Sequence, residues 1–320
     1  MKSSTKAWLV IGIVLVLVGV LGFSGVMSAQ NWDFFAFDNT KSEIRTIDIN
    51  ESFANISVHS DTADVEFKLS DTGRCRVVTT DDPKIEYTVS VENNTLTIRK
   101  TDKRNWFERF SLFSKASAIA VYLPQTGYAA LTVDDDTGDI TIPKDFTFAG
   151  IDITADTGDI SCQASVSGQI KLKTDTGHIS LTELAAGKLD LSVHTGKVDV
   201  SAVTCAEDLS VNVTTGKTSL TDVTCRNLTS TGDTGDIAMK NLTAAEQIQI
   251  KRSTGDVRFD SCDAAELIIT TDTGDVTGTL LSDKVFIAKS DTGRVDVPES
   301  VSGGKCKITT DTGDIKITVK

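Results

Sequence analysis

The chain has 320 residues, of which 39% are hydrophobic, only 6% are aromatic and 4 are proline, so a sizeable core is possible and it must be aliphatic. The formal net charge of −13 argues against nucleic acid as a partner and against broad adhesion to anionic lipid.

Residues 1–6 carry Lys2 and Lys6 and read as a cytoplasmic N-terminus. The run from Ala7 to Met27 holds no charge, and 7–29 is predicted as a transmembrane signal-anchor, because about 20 apolar residues cross a bilayer as a helix. Asp33, Asp38 and Glu43 follow it, so the positive-inside bias places the bulk of the chain outside the cell membrane, single-pass. A cleaved signal peptide is the alternative, with Val26-Met27-Ser28 as a small-residue cleavage site. No Cys follows the run closely, which argues against a lipid-anchored protein. Residues 30–43 form a juxtamembrane linker in which Trp32, Phe34, Phe35 and Phe37 suit an interfacial belt.

Residues 44–125 are expected to be an irregular β-rich N-terminal cap. Ile56, Val58, Asp61-Thr62-Ala63-Asp64, Val65 and Phe67 match the frame of the Thr-Gly repeat that follows, with Ala63 in the Gly position, and Asp71-Thr72-Gly73 comes at once after them. Ordinary alternating strands come next, Ile85 to Val91, Thr95 to Arg99 and Ala118 to Leu123, ending at Pro124. Within the cap, residues 102–115 hold the one basic-aromatic cluster of an acidic ectodomain. Arg104, Trp106, Phe107, Arg109, Phe110 and Phe113 there are candidates for membrane or partner contact. Folding back over the first rungs is the alternative use of these aromatics.

Residues 126–320 are a repeat. Thr-Gly recurs at Gly138, Gly158, Gly177, Gly196, Gly216, Gly235, Gly255, Gly274, Gly293 and Gly313, always 19 or 20 residues apart. Counting each Gly as zero, position −7 holds Leu131, Ile151, Ile170, Leu189, Leu209, Leu228, Ile248, Leu267, Phe286 and Cys306. Position +2 is Ile or Val in nine of ten units, −5 and +4 are mostly aliphatic, and polar residues lie between. This is the alternation of strands with one buried face. A further apolar point at +7 (Leu184, Val203, Val223, Leu242, Cys262, Leu281) marks the return turn. Such a unit cannot bury its own apolar face, so the units must stack as a parallel β-solenoid, ten rungs at ~4.8 Å making a rod of about 48 Å.

The repeated Asp-Thr-Gly invites comparison with the nucleophile loop of aspartic proteases, but copies along one edge of a rod never face each other across a cleft. Turn chemistry explains the triplet better: Gly for positive φ, Asp to cap a neighbouring amide, Thr for a hydroxyl ladder. Asp136, Asp156 and Asp175 should stack at −2, as should Asp272, Asp291 and Asp311. Asp236, Asp256 and Asp275 should stack at +1, where like charges repel and Ca²⁺ could relieve them. Water, salt and local partners are the alternative relief; no other cofactor is implied. His59, His178 and His194 fall in different phases and read as solvated positions. The six cysteines show no metal-ligand spacing and mostly occupy aliphatic phases; Cys205 and Cys225 lie one unit apart, within disulfide reach but better read as reduced. Catalysis of the polysaccharide-lyase or hydrolase kind needs long inserted loops, which the constant spacing leaves out.

The N-terminal anchor, the lead-in closing on Leu123-Pro124 and the L-x-I-x-T-x-T-G-D-I units together resemble the bacterial β-strand-repeat family labelled "putative adhesin", a domain of unknown function. The resemblance covers residues 44–320 and implies a cell-envelope location; it brings no catalytic residues. The sequence therefore reads as an anchored, non-catalytic extracellular rod with a binding or sensing surface for an envelope or protein ligand. A structural spacer or self-assembling scaffold is the competing class.

Overall fold

The computed structural model describes residues 3–29, 42–81, 85–103 and 117–320. One helix among them, Ser3–Ala29, is long and apolar enough to cross a membrane. All remaining regular structure is β-strand.

The repeat region is a parallel solenoid. Leu131, Ile151 and Ile170 are in register in neighbouring rungs, as are Leu189 with Leu209 and Leu228 with Ile248 and Leu267. After the corner the +2 column repeats this order, Ile140 beside Ile160 beside Ile179. In the Gly177 rung Ile170, Leu172, Ile179 and Leu181 are all fully buried, each worth roughly 1.5–3 kcal/mol of transfer free energy. The aliphatic phase of the sequence is thus the inside of the rod. The +7 point is buried as expected at Leu184, Val203, Val223, Leu242 and Cys262. Leu281 departs from it: its side chain is exposed, and Leu280 is buried in its place, paired with Cys262 across a shift of register.

Two rungs stand out of sequence order. At the N-terminal end the unit around Ala63 lies directly against the Gly138 rung, with Ile56 opposite Leu131 and Val65 opposite Ile140. The intervening chain does not continue the stack at Gly73. Cys75–Asp81 instead runs antiparallel to Ser117–Leu123 and to Glu43–Ile49, while Ile85–Glu92 runs antiparallel to Thr95–Asp102. Thr95–Asp102 and Ser117–Leu123 then pair in parallel with the far side of the Ala63 unit.

The C-terminal end corrects the expected stacking of Asp272, Asp291 and Asp311 in sequence order. Gly304–Thr312 pairs with Val257–Thr273 on one side and with Lys284–Ser290 on the other, so the last unit is inserted between its two predecessors. Burial supplies the reason. Cys306, Ile308, Ile315 and Ile317 form a complete apolar face and are all buried, whereas Phe286, Ala288 and Val297 are only half-buried. The better-patterned unit takes the slot with neighbours on both sides.

Candidate functional site

The repeated corner is the feature from which any site must be built. Its glycines have φ between 133° and 157° at nine of the ten positions; Gly293, in the end rung, is the exception. Space is the stricter demand. A Cβ on Gly158, Gly177, Gly196, Gly216, Gly235, Gly255, Gly274, Gly293 or Gly313 would strike the carbonyl oxygen of the corner glycine in the adjacent rung, and on Gly138 that of Ala63. The corner amides continue the ladder, as in Gly158 N donating to Thr176 O at 2.9 Å and Gly255 N to Thr273 O at 2.9 Å.

The aspartates of the corner cap neighbouring amides, but from +1 and not from the Asp of the Asp-Thr-Gly triplet. The +1 carboxylates, not those at −2, accept backbone amides, each from the +1 residue of the next rung. Asp139 N donates to Asp64 Oδ1 at 3.0 Å, Asp159 N to Asp139 Oδ1 at 2.8 Å and His178 N to Asp159 Oδ1 at 2.8 Å. The ladder resumes farther on, with Asp256 N on Asp236 Oδ1 at 3.1 Å, Asp275 N on Asp256 Oδ1 at 3.0 Å, Asp314 N on Asp275 Oδ1 at 2.8 Å and Arg294 N on Asp314 Oδ1 at 2.8 Å. Each carboxylate satisfies an amide that would otherwise lack a partner at the turn. Where Lys197 and Lys217 replace Asp, the two rungs pair straight through the corner, Gly196 beside Gly216 and Lys197 beside Lys217.

In the column proposed for Ca²⁺, Asp236, Asp256 and Asp275, the Oδ1 of every member is therefore taken by an amide. Cations take part of the rest: Arg258 approaches Asp256 Oδ2 at 2.6 Å and Lys217 approaches Asp236 Oδ2 at 4.0 Å. Among the described residues no group of three or more His, Cys, Asp or Glu side chains is placed to hold a metal ion. Two of the −2 aspartates pair with lysines two residues earlier, Lys173 with Asp175 at 3.2 Å and Lys289 with Asp291 at 2.6 Å. Repulsion is felt at the N-terminal end of that column: Asp136 is pushed above the usual carboxylate range by burial, then by Asp61 and Asp156. The expected threonine hydroxyl ladder does not form among the described residues; Thr292 Oγ1 donates instead to the carbonyl of Asp311 at 3.2 Å.

Two charged side chains are buried inside the rod at phase −3, and sequence reasoning missed both. Asp135 is 2% exposed beside the cap, and burial raises its carboxyl to about 6. Arg252 is also 2% exposed, and burial lowers its guanidinium to about 10. Its Nη2 donates to Ser230 Oγ at 2.9 Å and to Thr218 Oγ1 at 3.4 Å, and its Nη1 to Lys251 O at 3.0 Å. A Cβ on Gly232 would sit 3.2 Å from that Nη1. Thr218 is the single exception to Ile or Val at +2, Ser230 breaks the aliphatic −5 column, and Gly232 opens −3. Those three departures were the available signal for a buried polar group.

All six cysteines are free and buried, Cys205 and Cys225 included. Burial pushes Cys75, Cys162, Cys225 and Cys306 up to about 12, which leaves thiols rather than nucleophilic thiolates. His178 sits 2.8 Å from Asp199 and His59 3.7 Å from Asp134, each on the outer surface of the rod. A shallow groove of about 420 Å³ opens at the cap, lined by Phe53, Arg74, Cys75, Pro124 and Tyr128 among others. Arg104, Trp106, Phe107, Arg109, Phe110 and Phe113 lie outside the described residues, as do Trp32, Phe34, Phe35 and Phe37.

A column of stacked turns whose polar groups bind rung to rung, with an aliphatic interior, defines a parallel β-solenoid repeat protein. The chain belongs to the Toastrack DUF4097 family, which it matches over residues 53–207 and 203–320. It is similar in fold to a putative adhesin from Parabacteroides distasonis ATCC 8503, at 13% identity and a TM-score of 0.52, covering 87% of this chain and 98% of that one. It is likewise similar to a putative lipid binding protein from the same organism, at 16% identity and a TM-score of 0.52, covering 87% and 97%. A putative adhesin from Parabacteroides merdae ATCC 43184 matches at 13% identity and a TM-score of 0.50, covering 76% and 98%. A comparison with curated proteins finds no match.

Proposed function

We propose that the chain is a non-catalytic, single-pass membrane protein whose 126–320 solenoid presents a repetitive surface for binding or sensing at the cell envelope. The observation that carries this reading is the use made of the corner. Its recurring carboxylates are spent on amides of the neighbouring rung, so the repeat's chemistry is invested in building a long surface. Outward positions between the buried ones carry mixed charges, among them Lys171 with Asp152 at 3.4 Å and Lys305 with Glu266 at 3.1 Å. The description of two fold neighbours as adhesins agrees with such a surface. The helix Ser3–Ala29, with Lys2 and Lys6 ahead of its uncharged run from Ala7, supports an anchor with the rod outside the membrane. Within this reading 30–43 is a linker and 44–125 is the cap that the rod requires. The basic-aromatic cluster of Trp106, Phe107, Phe110, Phe113, Arg104 and Arg109 is proposed to touch the membrane or a partner.

The test is to mix the full chain, in lipid nanodiscs, with fractionated cell envelopes and to identify what is retained. Retention of one envelope component, lost when outward charges of the rod are reversed, supports a binding surface. Turnover of envelope polysaccharide by the purified chain sinks the non-catalytic reading.

A further inference from the structure

The C-terminal end of the rod is an open sheet edge. Lys284–Ser290 pairs with Gly304–Thr312 and Val295–Asp296 with Ile315–Val319, and no other described strand meets their far sides. The N-terminal end is built differently: its parallel strands are extended by antiparallel ones, Cys75–Asp81 and then Glu43–Ile49 beside Ser117–Leu123, and Ile85–Glu92 beside Thr95–Asp102. Apolar exposure follows the same division. Outside the N-terminal helix, seven large hydrophobic side chains are exposed among the described residues, and five of them, Leu281, Val285, Ile287, Val295 and Val301, fall in this short terminal stretch. Ile287 is 52% exposed and Val301 98%. An unpaired edge of this character is a template for another strand.

The identity of that strand is written in the edge itself. Its outward residues are Asp283, Val285, Ile287 and Lys289, all exposed. The order is acid, apolar, apolar, base. Antiparallel pairing of this strand with a copy of itself, centred on Phe286, sets Asp283 opposite Lys289 of the second copy and Val285 opposite Ile287 of the second copy. The two-fold axis repeats both pairs. Directly opposed unlike charges and apolar pairs are the favourable cross-strand combinations, whereas parallel in-register pairing would oppose Asp to Asp and Lys to Lys.

We infer that this chain forms a closed two-fold dimer through its C-terminal edge, the strand Lys284–Ser290 with Asp283 just before it, paired antiparallel with the same segment of a second copy. The two-fold axis joins this edge of one copy to the same edge of one other copy, so the pairing uses it up and stops at two. The inference does not depend on the ligand-binding reading above.

Sedimentation of the full chain in detergent micelles tests it. The wild-type chain is expected to show a concentration-dependent monomer–dimer equilibrium. Asp283→Lys alone and Lys289→Asp alone place like charges opposite each other twice, and each is expected to weaken the dimer about tenfold or more. The double variant Asp283→Lys with Lys289→Asp restores opposite signs and is expected to dimerise as the wild type does. Far-UV circular dichroism on heating checks that each variant is folded; Ile287→Lys, at an exposed outward position, replaces any that is not. A chain still monomeric at about 100 μM overturns the inference. So does a dimer indifferent to the single reversals, a double variant that stays monomeric, or assembly that continues past two. Association through the N-terminal helix is recognised by that same indifference.

Discussion

The two ends of the rod meet one problem, an apolar interior laid open where stacking stops, with different strands. At the N-terminal end the chain leaves the Ala63 unit after Leu69, lays down antiparallel strands and a parallel pair on the far side of that unit, and returns at Gly127 on its near side. At the C-terminal end no added layer is present among the described residues. There the order of two rungs is exchanged, so that the weaker apolar face, that of Phe286 and Ala288, stands outermost. A dedicated cap covers the core; an exchanged rung limits how much core is exposed and leaves an edge that can pair. The inner rungs need neither device, because each has a neighbour on both sides.

That contrast should show most strongly in the corner glycines. Gly216→Val, in the middle of the rod, requires a Cβ where the Gly196 carbonyl stands, and it is expected to cost several kcal/mol or prevent folding. Gly73 also has positive φ, 68°, but nothing lies within 4 Å of its Cβ position, so Gly73→Ala should cost only about 1 kcal/mol. Denaturant midpoints of the two variants measure the difference; equal losses would mean that φ, and not stacking, sets the demand for glycine.

The junction of cap and rod should respond to pH. Asp135 has its carboxyl raised from 3.8 to about 6 by burial, with Asp136 reinforcing the shift and Lys100 and Ser60 opposing it. The folded state therefore binds this proton more tightly than the unfolded state. Its contribution to stability is complete below about pH 4 and is lost as pH rises through about 6. Asp135→Asn should remove that dependence and stabilise the chain at pH 7 by on the order of 2 kcal/mol. Parallel thermal melts at pH 4.5 and pH 7.5 check it, and a variant that keeps the wild-type pH slope would remove Asp135 as the source.

The open end should loosen selectively. Asp314 Oδ1 accepts the Arg294 amide and its Oδ2 meets the Arg294 guanidinium at 3.0 Å, tying the end rung to the inserted one. Asp314→Ala is expected to speed amide hydrogen exchange over residues 284–296 while rungs before Gly255 keep their protection. Faster exchange throughout the rod would show that the end rung and the body unfold together.

The smallest effect concerns the second corner, at position +6. Glu183, Ala202, Asp222, Asn241 and Ser261 all have φ between 50° and 57°. Asp and Asn tolerate this region better than Ala does. Ala202→Gly should therefore raise stability by up to about 1 kcal/mol, and a lower melting temperature would mean that the methyl group's packing outweighs the strain.

The alternation at −7, −5, +2 and +4 made the rungs and their buried face legible along the chain, and the constant spacing made the parallel stack legible too. The role of the corner aspartates was only half legible. Their recurrence marked the turn, but whether +1 or −2 accepts the amide depends on which side of the corner faces the next rung's backbone, which no single unit specifies. Arg252 was hidden for a similar reason: its partners Thr218 and Ser230 are 34 and 22 residues away and meet it only after stacking.

By itself the sequence determined the unit: two short strands, one apolar face, a glycine corner and an apolar segment at the N-terminus. It could do so because strand alternation and turn conformation are local properties, set within a few bonds. Only the tertiary structure decided which unit lies beside which. That choice compares whole faces across the stack, and it put the Ala63 unit against Gly138 and the last unit between its two predecessors because burial is gained between rungs and not along the chain.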